Sequence, residues 1–230
     1  MRRHTSPKRL SHPGPSDDQL HSFLCAAAAA PDHGRLAPWH FVLIPKEARE
    51  LLAQAFSQAL RDKDPSTGPG ELGAAREKAY GAPTLLLAIA RSGLASERVS
   101  RDEIMVSLGC AIQNILLSAT EAGFSTSLTS GLSLRSPAIH RIFDLSTEDT
   151  PVCFINIGTT SSAMHDRSLK LPEGLFSVLE APAQPKQLDS AEFGATPRSL
   201  THPQPDYPLL CAQSLRHFGH QCADCRDLQE

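Results

Sequence analysis

Apolar and polar residues alternate along the chain in patterns that assign most of its first 180 residues to regular elements. Ser16-Asp17-Asp18 offers a helix cap, and Gln19 to Ala30 reads as an alanine-rich helix that stops before Pro31. His40 to Ile44 reads as a strand ending at Pro45. In Lys46 to Arg61, residues Leu51, Leu52, Ala55, Phe56 and Leu60 fall at helical spacing. Asp62 to Gly70 is a loop rich in Pro, Gly and Ser, and Glu71 to Tyr80 is helical again, closing at Gly81. Pro83 opens Thr84 to Ala90, a continuous apolar run of a length that suits a buried strand. Ser100 to Gly123 is the longest helical pattern. Its Val106–Ala122 portion is apolar nearly all round, as in a central helix or one that faces a second subunit. Leu128 to Gly131 reads as a small polar turn, and Pro151 to Gly158 as a third strand. Long helices around a few buried strands predict an α+β, three-layer architecture.

The pattern fades near residue 180. Pro182, Pro185, Pro197, Pro203, Pro205 and Pro208 follow with few aliphatic residues, too little apolar surface to offset ordering entropy. The expected organisation is a folded unit over 1–180 and an irregular tail over 181–230.

Charge and composition narrow the function. A net charge of −3 argues against a nucleic-acid binder, which needs clustered cations. No uninterrupted apolar run approaches the roughly 20 residues of a bilayer span. Pro13, Pro15, Asp17 and Asp18 separate the basic start from the first apolar run, unlike an export signal. The expectation is a cytoplasmic protein. Cys25, Cys110 and Cys153 sit in apolar stretches, where cysteine acts as a small buried hydrophobe. Cys222 and Cys225, with His217 and His220, have the donor types of a zinc site. They lie within nine residues and lack an intervening hairpin, so no metal site is expected.

Hydrolase, kinase, zinc-protease and dinucleotide fingerprints are missing from the chain. No nucleophile has an evident partnered base, which points to chemistry borrowed from a cofactor. Three segments stand out: the basic start Arg2-Arg3-His4-Thr5-Ser6-Pro7-Lys8-Arg9-Leu10, the run Ala30-Pro31-Asp32-His33-Gly34-Arg35-Leu36-Ala37-Pro38-Trp39-His40-Phe41, and the turn Leu128-Thr129-Ser130-Gly131. Singly, each has a blander reading: a solvated tail, a tight connection with Trp39 as a core anchor, and a plain loop.

In this order, followed by Ile157-Gly158-Thr159, the segments resemble the nitroreductase superfamily, more closely its small nitroreductase-like subgroup with the A-P-D-H…P-W-H-F segment. The resemblance runs from about Arg2 to about Leu179. It implies an α+β nitroreductase-like three-layer fold with a central mixed or antiparallel sheet, and an intertwined homodimer with FMN in clefts built from both subunits. By the same resemblance Arg2, Arg3, His4, His33, Leu128, Thr129 and Ser130 contact FMN, with Arg167 or Lys170 as alternatives for the phosphate. The chemistry suits those residues. Arginine offers a fixed fork of charged donors, and a cation near the flavin ring favours its reduced form.

The implied activity is ping-pong hydride transfer from NAD(P)H through FMN to a nitro, quinone or similar electron-poor small molecule. The other readings are a flavin-remodelling enzyme and a non-catalytic dimer of the same fold. The chain departs from the family where Thr129 replaces the arginine of closer relatives, where Ala37 replaces a frequent glutamine, and where His4 replaces a hydroxyl residue.

Overall fold

The computed structural model describes residues 6–160; Arg2, Arg3, His4 and everything past Thr160 lie outside that range. Four strands form one antiparallel sheet in the order β1-β2-β4-β3: β1 (Trp39–Leu43), β2 (Thr84–Arg91), β3 (Ser125–Thr129) and β4 (Asp149–Gly158). Five helices cover it: α1 (Asp17–Ala28), α2 (Arg49–Lys63), α3 (Pro69–Glu77), α4 (Arg101–Glu121) and α5 (Pro137–Ile142).

Strand β2 is central, and its alternation divides the core. Leu86, Ala88 and Ala90 join Cys153, Ile155 and Ile157 against α1 and α4. Leu85, Leu87 and Ile89 join Phe154 against α2, α3 and α5. Every residue of β2 before Arg91 is buried, which is why the strand reads as unbroken apolar sequence. The β2–β4 register slips between Ala88–Cys153 and Ile89–Pro151, so Pro151, which cannot donate to a ladder, sits at an irregularity. The layered α+β reading holds, with the sheet antiparallel.

The helices begin where short polar side chains can cap them. Ser16 with Gln19 closes a capping box on α1, and Ser100 with Glu103 does so on α4. The two helices pack together, and Asn114 Nδ2 donates to the Ala26 carbonyl at 2.9 Å. Helix α4 buries Ile104, Leu108, Ala111, Ile112, Ile115, Leu116 and Ala119. Among the described residues it is the one helix long and apolar enough to cross a membrane by length and composition, but this face lies in the core. Its other side leaves Met105 and Val106 exposed, Val106 to 67%.

Two elements differ from the sequence expectation. Leu128 and Thr129 end an edge strand, β3, whereas a polar turn is expected there. The pattern Ser-Thr-Ser-Leu-Thr has a single aliphatic residue, and β4 supplies the pairing that makes it a strand. Helix α5 has no counterpart in the expected elements; it is one turn and a half, opened by the Ser136 cap and Pro137. Trp39 is half-buried and packs against the α1–α4 core, as expected of an anchor. Cys25 and Cys110 are half-buried and Cys153 is buried; burial pushes the Cys153 thiol up to about 11.

Candidate functional site

The Ala30–Trp39 connection leaves α1 and enters β1 through an unusual backbone. Gly34 has φ +81°, and two residues with side chains, Arg35 (+54°) and Ala37 (+42°), also lie in the left-handed region. Such conformations persist where surrounding contacts over-determine them. Here Asp32 Oδ2 accepts from the Ala37 amide at 2.6 Å, and the Arg91 amide donates to the Pro38 carbonyl at 2.9 Å. The connection is thereby tied both to itself and to the end of β2.

His33 sits in the 3-10 turn His33–Arg35, and its side chain is 58% exposed. Its Nδ1 lies 2.8 Å from Glu103 Oε1, in the first turn of α4. The other carboxylate oxygen accepts from the Ser100 amide at 2.8 Å and from the Ser100 hydroxyl at 2.9 Å. These donors, the Ser100 amide first, hold the Glu103 carboxyl down to about 2.

The second predicted segment lies on the opposite edge of the sheet. Leu128 packs toward the α1–α4 core. Thr129 Oγ1 accepts from Asn156 Nδ2 at 3.1 Å, and the same amide donates to the Ser127 carbonyl at 3.2 Å. Asn156, fully within an apolar strand, thus fixes the end of β3. Ser130 is exposed just beyond. Strands β1 and β3 stand three strand spacings apart, about 14 Å, and helices cover both faces of the sheet between them.

The N-terminal arm defines a third place. Ser11 pairs with Thr159 through two backbone hydrogen bonds of 2.8 and 2.9 Å, beside Gly158. A Cβ on Gly158 would lie 2.9 Å from the Ser11 carbonyl and 2.8 Å from Pro83 Cδ, so the arm seats against a residue that must lack a side chain. Gly158 pairs with Ser125, immediately after the C-terminal end of α4. His33 is held at the N-terminal end of that same helix, whose 21 residues span about 31 Å. Within one chain, then, the imidazole and the arm that leads back to Arg2, Arg3 and His4 are at opposite ends of α4.

Among the described residues, three buried side-chain polar atoms lack a hydrogen-bond partner: Asp32 Oδ1, Ser127 Oγ and Gln113 Nε2. Native proteins leave few such atoms. Asp32 precedes His33 and Ser127 precedes Leu128, so two of the three flank predicted site residues. Gln113 lies on the outward side of α4, two turns after Val106. No group of three or more metal-ligating side chains occurs among the described residues; the Cys222–Cys225 pair falls outside them.

The sequence profile of the Nitroreductase family matches residues 1–159. The chain belongs to the nitroreductase family. Among its relatives, the Escherichia coli (strain K12) protein named "Putative NAD(P)H nitroreductase YdjA" is 32% identical over 156 residues, covering 67% of this chain and 82% of that protein. A Haemophilus influenzae protein named "Putative NAD(P)H nitroreductase" is 31% identical over 154 residues, covering 67% and 83%. Solved structures agree in fold. The Bacillus cereus nitroreductase-like family protein superposes with a TM-score of 0.63 at 21% identity, over 78% of this chain and 93% of its own. The FMN-dependent nitroreductase NfnB of Mycobacterium smegmatis, solved in complex with NADPH, gives 0.54 at 15% identity over 69% and 84%. This nitroreductase-family fold is the one expected from the sequence. Glu103 and Asn156 are the neighbours of the predicted site that the sequence reading did not single out. The spacing Ser100-x-x-Glu103 is a capping-box signal, and Asn156 is the lone polar residue within Val152–Ile157.

Proposed function

We infer that this nitroreductase-family protein is an FMN-dependent NAD(P)H oxidoreductase that works as a homodimer in the cytoplasm. It passes hydride in a ping-pong cycle to nitro, quinone or related electron-poor small molecules. Hydride chemistry comes with the bound flavin; the chain binds and orients it.

One observation carries the reading: of the residues expected around one FMN, His33 sits by the first turn of α4 on the β1 side of the sheet, whereas Leu128, Thr129 and Ser130 sit at the end of β3 on the opposite edge. A two-fold axis near the middle of α4 would set the N-terminal end of one copy's helix beside the C-terminal end of the other's. It would then bring His33 of one copy toward the arm and β3 end of its partner, and cover the exposed Met105–Val106 side. The donor set suits FMN in those two halves. His33 keeps Nε2 without a hydrogen bond among the described residues, while Ser130 and the hydroxyl proton of Thr129 offer donors at the β3 end. Arg2 and Arg3 then supply the cations for phosphate or ring oxygens. In the full chain, the expected arrangement is this FMN unit over 1–180 with a separate segment over 181–230.

An absorbance spectrum tests this. The purified protein is expected to be yellow and to bleach with NADH or NADPH under anaerobic conditions, then to recover colour with a quinone. Colourless protein that does not take up added FMN would overturn the reading.

A further inference from the structure

We propose that Glu103 is the positioning residue for the cofactor-facing imidazole: it holds His33 by Nδ1 and leaves Nε2 as the atom offered to FMN. This holds only if His33 faces FMN, as inferred above.

An exposed histidine ordinarily samples several rotamers and both neutral tautomers. His33 is tied across 70 residues of sequence to a carboxylate that is itself immobilised. Glu103 cannot swing away, because its second oxygen is held by the Ser100 amide and hydroxyl. An ionised carboxylate accepts only, so the nitrogen beside it must carry hydrogen in either protonation state of the ring. Nδ1 is therefore the donor to Glu103. Nε2 accepts from a hydroxyl or N–H when the ring is neutral, and donates to an anionic oxygen when it is charged. The turn reinforces this aim. Asp32 Oδ2 accepts from the Ala37 amide, closing the turn that carries the ring back on itself. Carboxylates orient the imidazoles of metal sites in this same way, and their loss weakens binding there by roughly tenfold or more.

The test uses the full chain and four variants: Glu103→Gln, His33→Ala, their double mutant, and Ser100→Ala. Ring-nitrogen NMR of flavin-free protein reports the His33 tautomer, and quenching of FMN fluorescence reports affinity. Wild type is expected to show Nδ1–H. In Glu103→Gln the new amide can donate to the ring, so the Nε2–H form should grow and FMN affinity should fall roughly tenfold. The double mutant should bind no worse than His33→Ala alone. Ser100→Ala deletes one of the two donors to the second Glu103 oxygen and keeps the amide, so it should lower the thermal midpoint through the lost cap, retain the Nδ1–H tautomer and weaken FMN binding by less than Glu103→Gln does. An Nε2–H ring in the wild type overturns the proposal even if Glu103→Gln fails to fold. Unchanged affinity in Glu103→Gln, alongside a weakened His33→Ala, makes Glu103 a helix cap only. Unchanged affinity in His33→Ala removes His33 from the flavin site, and the proposal falls with it.

Discussion

Arg49, only 4% exposed, donates from Nη1 to the carbonyl of Ala79 at 2.7 Å. Its Nε donates to Ile44 at 2.9 Å and its Nη2 to Pro83 at 3.2 Å, so one guanidinium collects the carbonyls that end β1, close the turn after α3 and precede β2. Arg49→Met fills similar space and orphans all three. Hydrogen bonds to charged groups contribute roughly 1.5–3 kcal/mol each, though not additively, so a loss of about 3 kcal/mol is expected in urea denaturation. Arg49→Lys should rescue little, since an ammonium cannot reproduce the planar fork. A loss below about 1 kcal/mol for Arg49→Met would contradict this role.

The pH dependence of stability follows from two carboxylates. Glu50, bonded to Arg76, Tyr80 and Gln54, is held at about 2, as is Glu103. Both folded values lie below the ordinary 4.5, so their contribution is complete above that pH and disappears as pH falls toward about 2. The thermal midpoint of wild type should exceed that of Glu50→Gln at neutral pH, and the gap should close on acidification through this window. A gap independent of pH would mean that the ionised form is not what Arg76 and Tyr80 recognise.

Ala37 holds φ +42°. A left-handed residue with a Cβ is strained by about 1 kcal/mol relative to glycine. Ala37→Gly is therefore expected to raise stability by up to about 1 kcal/mol, less the extra chain entropy of glycine in the unfolded state. Denaturation midpoints measure this, and a destabilised variant would show that the Ala37 methyl packs usefully.

Val106 is 67% exposed on the outward side of α4. If that side meets a second copy, Val106→Glu places a charge in an apolar contact and should yield a folded monomer by light scattering, where wild type runs as a dimer. A wild-type monomer at micromolar concentration, or an unaffected dimer in the variant, would move the interface elsewhere.

The sequence made the central layer legible and the edges obscure, for physical reasons. Strand β2 announces itself because all but its last residue is buried, and helix α4 because its core face is apolar over its whole length while Met105 and Val106 extend that character to the outward side. Strand β3 does not, because its stability comes from β4 rather than from its own Ser-Thr-Ser-Leu-Thr. Helix α5 is too short for its period to show. At the candidate site, His33 was visible through a family motif, but its partner lies 70 residues away and no local pattern joins the two. The role of Asn156 was likewise invisible, since it fixes a strand that the sequence does not reveal.

The strand order β1-β2-β4-β3 also has a kinetic consequence. No two paired strands in this sheet are joined by a tight hairpin: β1 and β2 are separated by α2 and α3, and β2 and β4 by α4, β3 and α5. The sheet therefore closes only after long loops have been brought together, a topology that slows folding. Until then Leu85-Leu86-Leu87-Ala88-Ile89-Ala90 is an uncharged segment with both edges open, of the kind that pairs with copies of itself. The strand that the native protein protects most thoroughly is the one most hazardous to leave waiting, and refolding yield should fall steeply with protein concentration.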